Sequence, residues 1–318
     1  MRLSPKLLRE EVVRQTRSSQ MKILLLGKNG QVGWELQRSL APLGEVIALG
    51  TASQDYCGDF TDLAGIAETI KAIKPDVIVN AAAHTAVDKA ESEPELARTL
   101  NALAPGVLAK ESKLLNALLI HYSTDYVFDG EADRPWLETD PVAPLSVYGA
   151  SKLEGEQLIL ASGCRHLIFR TSWVYGARGG NFAKTMLRLA QERDSLKVID
   201  DQIGAPTGAD LLADVTAHAI RTARQNPDLS GLYHLVAGGE TSWHGYASFV
   251  LDYARRAGIN LKVASDAIHA VPTAAFPTPA KRPHNSRLNT EKLQKTFDLH
   301  LPHWQAGVTR MLIEILDK

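Results

Sequence analysis

An α/β protein built on a doubly wound parallel sheet is predicted by three features of the sequence. Short apolar runs alternate with longer stretches of helical spacing, a glycine-rich turn follows the first of those runs, and the composition is that of an ordinary globular chain. At 318 residues and 45% hydrophobic content, the chain is long enough to bury a large core as one domain or two joined ones. Its 35 basic and 36 acidic residues nearly cancel, so no strong field marks nucleic acid or an anionic membrane as partner. Cys57 and Cys164 have no C-x-x-C spacing and suggest neither a disulfide framework nor a structural zinc site. No apolar run approaches the roughly 20 residues of a membrane span, and residues 1–20 carry charges without a secretory core. A soluble cytoplasmic protein is expected, with 1–20 a disordered extension and Met21 a plausible start.

The expected strands are KILLLG (22–27), EVIALG (45–50), DVIVNAAA (76–83), ALLIHYS (117–123) and HLIFRT (166–171). Beyond Arg170 the rhythm loosens into helical NFAKTMLRLAQER (181–193), strand-like KVID (197–200) and LYHLVA (232–237), and a Pro-rich passage from Val271 to Pro283. That mixture predicts a smaller, interleaved C-terminal lobe.

KILLLG runs into Gly27-Lys28-Asn29-Gly30-Gln31-Val32-Gly33 and then a helical stretch, the strand–turn–helix order of a Rossmann-type dinucleotide site. Glycines permit positive φ and let backbone N–H groups approach a pyrophosphate at the positive end of the helix dipole. The bland alternative is a tight strand–helix turn. EVIALG ends in Gly50 with Thr51 and Ala52 beyond, so no acid there would repel a 2′-phosphate, and Lys28 is placed to pair with one. NADPH is therefore expected, with NADH the alternative; a solvated turn lysine is the other reading of Lys28. Asp59-Phe60 is a candidate for holding the adenine. Ala82, Ala83 and His84 leave the third strand with side chains small enough for a cofactor to lie against the backbone, although simple packing also explains the alanines.

Tyr148-Gly-Ala-Ser-Lys152 puts a phenol and an ammonium on one helical face, about 6 Å apart along the axis. Tyr titrates near pH ~10, and a neighbouring cation favours the phenolate, bringing the group toward general acid/base work. Upstream, ALLIHYSTDYVF ends in Ser123-Thr124-Asp125, where a hydroxyl can polarise a bound carbonyl. Together these match the short-chain reductase pattern: Thr124 orients the carbonyl, Tyr148 supplies the proton, Lys152 supports it and holds the cofactor ribose. Asn101 resembles the pattern's helix Asn that holds a relay water, or else it is a capping or surface residue.

NAAAHTAVDKAESEPELA (80–97), HYSTDYVFDG (121–130), PLSVYGASKLEGE (144–156), FRTSWVYG (169–176), DDQIGAPTGADLL (200–212) and RPHNSRLNTEK (282–292) together resemble the dTDP-4-dehydrorhamnose reductase family, over nearly the whole chain from Met21. The resemblance implies NADPH-dependent reduction of the 4-keto group of dTDP-4-dehydro-β-L-rhamnose to dTDP-L-rhamnose, the last step toward the donor for rhamnose-containing polysaccharides. It implies substrate contacts from Thr124, Asp125 and Trp173, the last otherwise a core residue. A sugar nucleotide needs a cation for its diphosphate. Arg282 is the candidate among Arg282, Arg287 and Arg178, unless its segment is merely a solvated loop. Some members of the family form a dimer with Mg²⁺ on carboxylates that match Glu35, Asp210 and Glu314 here. Asp210 is one methylene shorter than the family's Glu, and the three otherwise read as scattered surface acids. Gly50 is a second departure, since relatives can carry Asp there. The lobes implied are 21–172 plus 196–236 for NADP and 173–195 plus 237–318 for the sugar nucleotide. Two alternatives stay open: another sugar-nucleotide enzyme on this scaffold, such as a 6-deoxy-talose-forming reductase, and a non-catalytic NADP-binding regulatory subunit.

Overall fold

The computed structural model describes residues 20–316; the extension expected at 1–20 falls outside it except for Gln20. Six parallel strands form the central sheet: β1 (Lys22–Leu26), β2 (Glu45–Leu49), β3 (Val77–Asn80), β4 (Leu118–Thr124), β5 (Arg165–Thr171) and β6 (Gly231–His234). They lie in the order β2-β1-β3-β4-β5-β6, so the winding reverses between β1 and β3. In such sheets the crevice outside the strand C-termini at that reversal is where ligands bind.

Both faces of the sheet are largely apolar because its strands are built around short apolar runs, and alternation sends successive side chains to opposite sides. On one face Ile23, Leu25, Val79, Ile120 and Phe169 pack with helices α1 (Gln31–Leu40) and α6 (Ala209–Gln225). On the other, Leu24, Leu26, Ile78, Leu119 and Ile168 pack with α2 (Leu63–Ile73), α3 (Ala104–Leu115) and Ile159 of α4 (Val147–Ser162). A smaller core joins α5 (Phe182–Glu192), α7 (Trp243–Arg256) and, beyond α8 (Glu291–Phe297), α9 (Trp304–Leu316).

The boundaries between the two cores differ from those expected. Leu196–Ile199 pairs with Ile268–Val271, Ile203–Gly204 pairs with Thr241–Ser242, and Leu196 and Val198 bury themselves in the smaller core. Residues 196–199 thus run with the smaller lobe, because Leu196 and Val198 meet α5 and α7 rather than the sheet. Conversely Leu293, Phe297 and Leu301 pack beneath the main sheet. None of the helices among the described residues is long and apolar enough to cross a membrane.

Candidate active site

The glycine turn is held by its own backbone. Gly27 sits at φ +88°, and a Cβ there would lie 2.6 Å from the Ala81–Ala82 peptide; a Cβ on Gly33 would lie 2.0 Å from the Gly27 carbonyl oxygen. The turn is therefore pressed between β3 and α1 with no room for side chains. Gly27 and Lys28 N–H groups donate to Leu49 O at the end of β2. Gly30 caps α1 without a side-chain acceptor, leaving the first-turn N–H groups of Gln31 and Val32 facing the crevice end for an anion. Lys28 and Asn29 lie against Gly50: a Cβ at Gly50 would come within 2.8 Å of Asn29 Nδ2 and 3.6 Å of Lys28 Cγ. The lysine stem thus covers the place where an NAD-binding fold keeps its ribose acid, and the donor set fits a dinucleotide with an extra phosphate.

Asp59 turns its carboxylate to Thr61 N (2.9 Å) and the Thr61 hydroxyl. Phe60 is buried beside it, packed with Leu24 and Ile66. Asn101 is fully buried in a π-helical turn, Thr99–Leu103, just before α3. It accepts from His84 N (2.8 Å) and donates to His84 O (3.1 Å) and Ser151 Oγ (3.0 Å), binding the β3 exit to α4; it is neither a cap nor a surface residue. Ala82 N donates to Asn80 Oδ1, and Ala83 is half-buried beside it.

α4 carries the Tyr/Lys pair into the crevice. Ser146 caps it by accepting from Gly149 N, and a Cβ on Gly149 would lie 2.2 Å from Tyr126 O, so only glycine lets the first turn press onto the segment after β4. Tyr148 stands edge-on to Tyr126, centroids 5.5 Å apart. Lys152 is 3% exposed and donates to Tyr122 O at 2.5 Å. Burial lowers its pKa to about 8, with Glu156 opposing. The phenol departs from expectation: burial pushes Tyr148 up to about 12, while the adjacent Thr124 hydroxyl draws it back and Asp125 adds to the rise. The reason is burial, which disfavours the charged phenolate; the Lys152 ammonium gives one of its three N–H groups to Tyr122 O and keeps the others for the site. Tyr148 is thereby held as a neutral acid, the form that donates a proton.

Thr124 ends β4 almost completely buried, accepting from Tyr126 N (3.1 Å) and donating to Asp125 Oδ1 (3.1 Å). Around it, the hydroxyls of Ser123, Thr171 and Ser172 and Asp125 Oδ2 are buried without a partner among the described residues. Unpaired polar atoms at the C-terminal ends of β4 and β5 are costly unless a ligand meets them.

Trp173 holds a left-handed backbone at φ +48° directly after β5, and its indole stacks on Trp243 at 3.7 Å. Strain of this kind concentrates at functional sites. Arg282 lies in the crevice mouth, but Asp88 takes both of its terminal nitrogens, at 3.1 and 2.8 Å, and Thr278 and Ala280 O share Nη1. Arg178 stacks over Trp34 at 3.7 Å on the α1 side, and Arg287 bonds Asn285 Oδ1. Glu35, Asp210 and Glu314 line one cavity of about 410 Å³ with Trp34, Arg38 and Arg310. Among the described residues, however, no three acid, His or Cys side chains come close enough to hold an ion, since Glu35 turns to Arg38 and Asp210 Oδ1 to Leu211 N.

Tyr126, Ser286 and Trp243 belong to the site and were not singled out from the sequence. Tyr126 and Ser286 stand inside quoted motifs, one residue from Asp125 and Asn285. Trp243 has no sequence signal, because its partner Trp173 is contributed by a distant segment.

A glycine turn at the sheet reversal, a Tyr-x-x-x-Lys helix and a buried Thr at the end of β4 define an extended short-chain dehydrogenase/reductase. Residues 21–316 match the family model "RmlD substrate binding domain". The chain is 65% identical over 295 residues to dTDP-4-dehydrorhamnose reductase of Shigella flexneri, covering 93% of this chain and 98% of that one. The crystal structure of a dTDP-4-dehydrorhamnose reductase from Clostridium acetobutylicum superposes with TM-score 0.82 at 37% identity, covering 94% and 100%. That of the Bacillus anthracis enzyme in complex with NADP gives TM-score 0.82 at 34%, covering 93% and 99%. The chain belongs to the dTDP-4-dehydrorhamnose reductase family.

Proposed function

We propose that this protein reduces the 4-keto group of dTDP-4-dehydro-β-L-rhamnose to give dTDP-L-rhamnose, using NADPH. The observation that carries the reading is the neutral, half-buried Tyr148 phenol beside the buried Thr124 hydroxyl, where unpaired hydroxyls of β4 and β5 await a ligand. Family membership supplies the substrate, and the NADP complex of the Bacillus anthracis relative supports the cofactor.

The turn 27–33 would hold the pyrophosphate at the N-terminus of α1, and Lys28 would meet the 2′-phosphate. Bound NADPH supplies the hydride for the carbonyl carbon. Thr124 and Tyr148 hydrogen-bond the carbonyl oxygen, polarising it; Tyr148 then passes its proton to that oxygen as negative charge grows there. The phenolate left on Tyr148 is stabilised by the Lys152 ammonium, and solvent restores its proton. Trp173, braced by Trp243, would wall the sugar. The resemblance also implies a homodimer and Mg²⁺ at the Glu35, Asp210 and Glu314 cavity, which sedimentation with and without a chelator tests.

The deciding experiment follows NADPH oxidation with dTDP-4-dehydro-β-L-rhamnose, runs NADH in parallel and reads the sugar product by NMR. Turnover to dTDP-L-rhamnose is expected. The talose epimer would replace the product but keep the chemistry, and NADPH binding without turnover would move the reading to a regulatory subunit.

A further inference from the structure

Thr124 has one hydroxyl proton and two claims on it. In the structure that proton points at Asp125 Oδ1, 3.1 Å away, while the oxygen accepts from Tyr126 N. A carboxylate at Asp125 takes this proton whenever it is ionised, because a charged acceptor outcompetes a neutral ketone. Thr124 then presents only lone pairs to a substrate carbonyl, which repels them.

Asp125 is in a poor place to be ionised. It is 2% exposed, and Oδ2 has no partner among the described residues. The groups around it are neutral or distant. Its own turn contributes Thr124 and Tyr126, α4 contributes the neutral Tyr148, and the 285–288 segment contributes the Ser286 hydroxyl. Arg282, the cation nearest this mouth, is matched by Asp88. No cation is among the influences on Asp125; burial dominates and raises its pKa to about 7, with Ser286 and Thr124 only easing it back.

We propose that Asp125 is a positioning residue that works as a neutral carboxylic acid: its O–H donates to Thr124 Oγ1, which frees the single Thr124 proton for the substrate's carbonyl oxygen. The inference rests on the reductase reading above. Asp125 keeps its proton throughout; the proton that ends on the product oxygen comes from Tyr148, and the hydride from the cofactor. When Asp125 ionises, Thr124 turns back to it and the carbonyl loses one of its two donors.

Two measurements test this. The first is the pH profile of kcat with saturating NADPH and keto sugar. Wild type is expected to fall as a one-proton limb near pH 7. Asp125→Asn, whose amide cannot ionise, loses that limb and falls only where Lys152 deprotonates, near pH 8. Ser286→Ala, which removes a hydroxyl that eases ionisation, moves the limb upward. The second is the infrared spectrum of the NADP-bound enzyme, which needs no turnover. A protonated-carboxyl band present at pH 6, titrating away near pH 7 and missing in Asp125→Asn, is expected. A limb that stays at the same pH in both variants, or a wild-type spectrum without a protonated-carboxyl band that titrates near pH 7, overturns the inference even if either variant fails to fold. Absence of turnover at every pH would instead defeat the reductase reading, and the infrared result still decides the state of Asp125.

Discussion

Arg282 and Asp88, 194 residues apart, face each other through two parallel hydrogen bonds, Nη1 to Oδ1 and Nη2 to Oδ2. The guanidinium holds the Asp88 carboxyl below its ordinary range, and the pair bridges the short helix after β3 and the Pro-rich segment of the smaller lobe. The pair therefore competes with any diphosphate for Arg282. Asp88→Asn is expected to lower the KM for the dTDP-sugar severalfold, and Arg282→Ala to raise it about tenfold with kcat little changed. Because Asp88 is 41% exposed, the same changes should alter stability by less than about 1 kcal/mol in a denaturant titration. KM values unmoved in both variants would take Arg282 out of the substrate site.

Tyr148→Phe removes the proton donor and leaves the edge-on contact with Tyr126. It should fold and bind NADPH as wild type does, judged by nucleotide fluorescence, while turnover falls by about 10²–10⁴. Retained turnover would assign the proton to another group.

The fold was legible because the main-sheet strands are built around short apolar runs alternating with helical stretches, and that rhythm has few structural alternatives. The Tyr148/Lys152 face was legible because helical spacing alone puts the two together. What escaped is what depends on partners distant in sequence. The protonation of Tyr148 follows from burial, with Asp125 adding to it, and spacing reveals neither. The engagement of Arg282 needed Asp88, and the lobe membership of 196–199 needed the 268–271 strand.

Lys152 is a buried ammonium with one protein acceptor, an arrangement that favours function over stability. Its depressed pKa means that folding is penalised wherever the unfolded lysine would be charged and the folded one must also carry charge; the penalty lessens as pH rises through about 8. Lys152→Met removes that penalty and keeps the volume. Turnover should collapse while Tm at pH 7 stays the same or rises, measured by calorimetry. A Tm lowered by several degrees would show that the ammonium contributes to folding.

Gly50 and Lys28 make the cofactor choice testable. A Cβ at position 50 meets only the flexible end of Asn29, so Gly50→Asp should be accommodated by a small side-chain shift. Its carboxylate would repel a 2′-phosphate and accept from a ribose hydroxyl. The ratio of kcat/KM for NADPH over NADH is expected to drop at least about tenfold, or about 1.4 kcal/mol, with a smaller drop for Lys28→Ala. A ratio unchanged in both would place the phosphate elsewhere.

Arg170 and Glu156 form the one ion pair with both partners under 5% exposed among the described residues, Nε to Oε1 at 2.9 Å and Nη2 to Oε2 at 2.6 Å, with the guanidinium 5.0 Å over the Phe128 ring. Such a pair barely repays its own desolvation, but breaking it strands a charge. Glu156→Gln leaves Arg170 buried with a neutral acceptor and should cost about 3 kcal/mol in chemical denaturation. The double change Glu156→Leu with Arg170→Met should recover most of that loss, because it strands nothing. If the single change is as stable as wild type, water must reach Arg170 Nη1, which has no partner within the chain. Glu156 also raises the Lys152 pKa one helical turn away, so in the Asp125→Asn background Glu156→Gln should move the remaining alkaline limb to lower pH. That shift would tie the buried pair to the catalytic lysine through charge, and a limb that stays in place would confine the pair to stability.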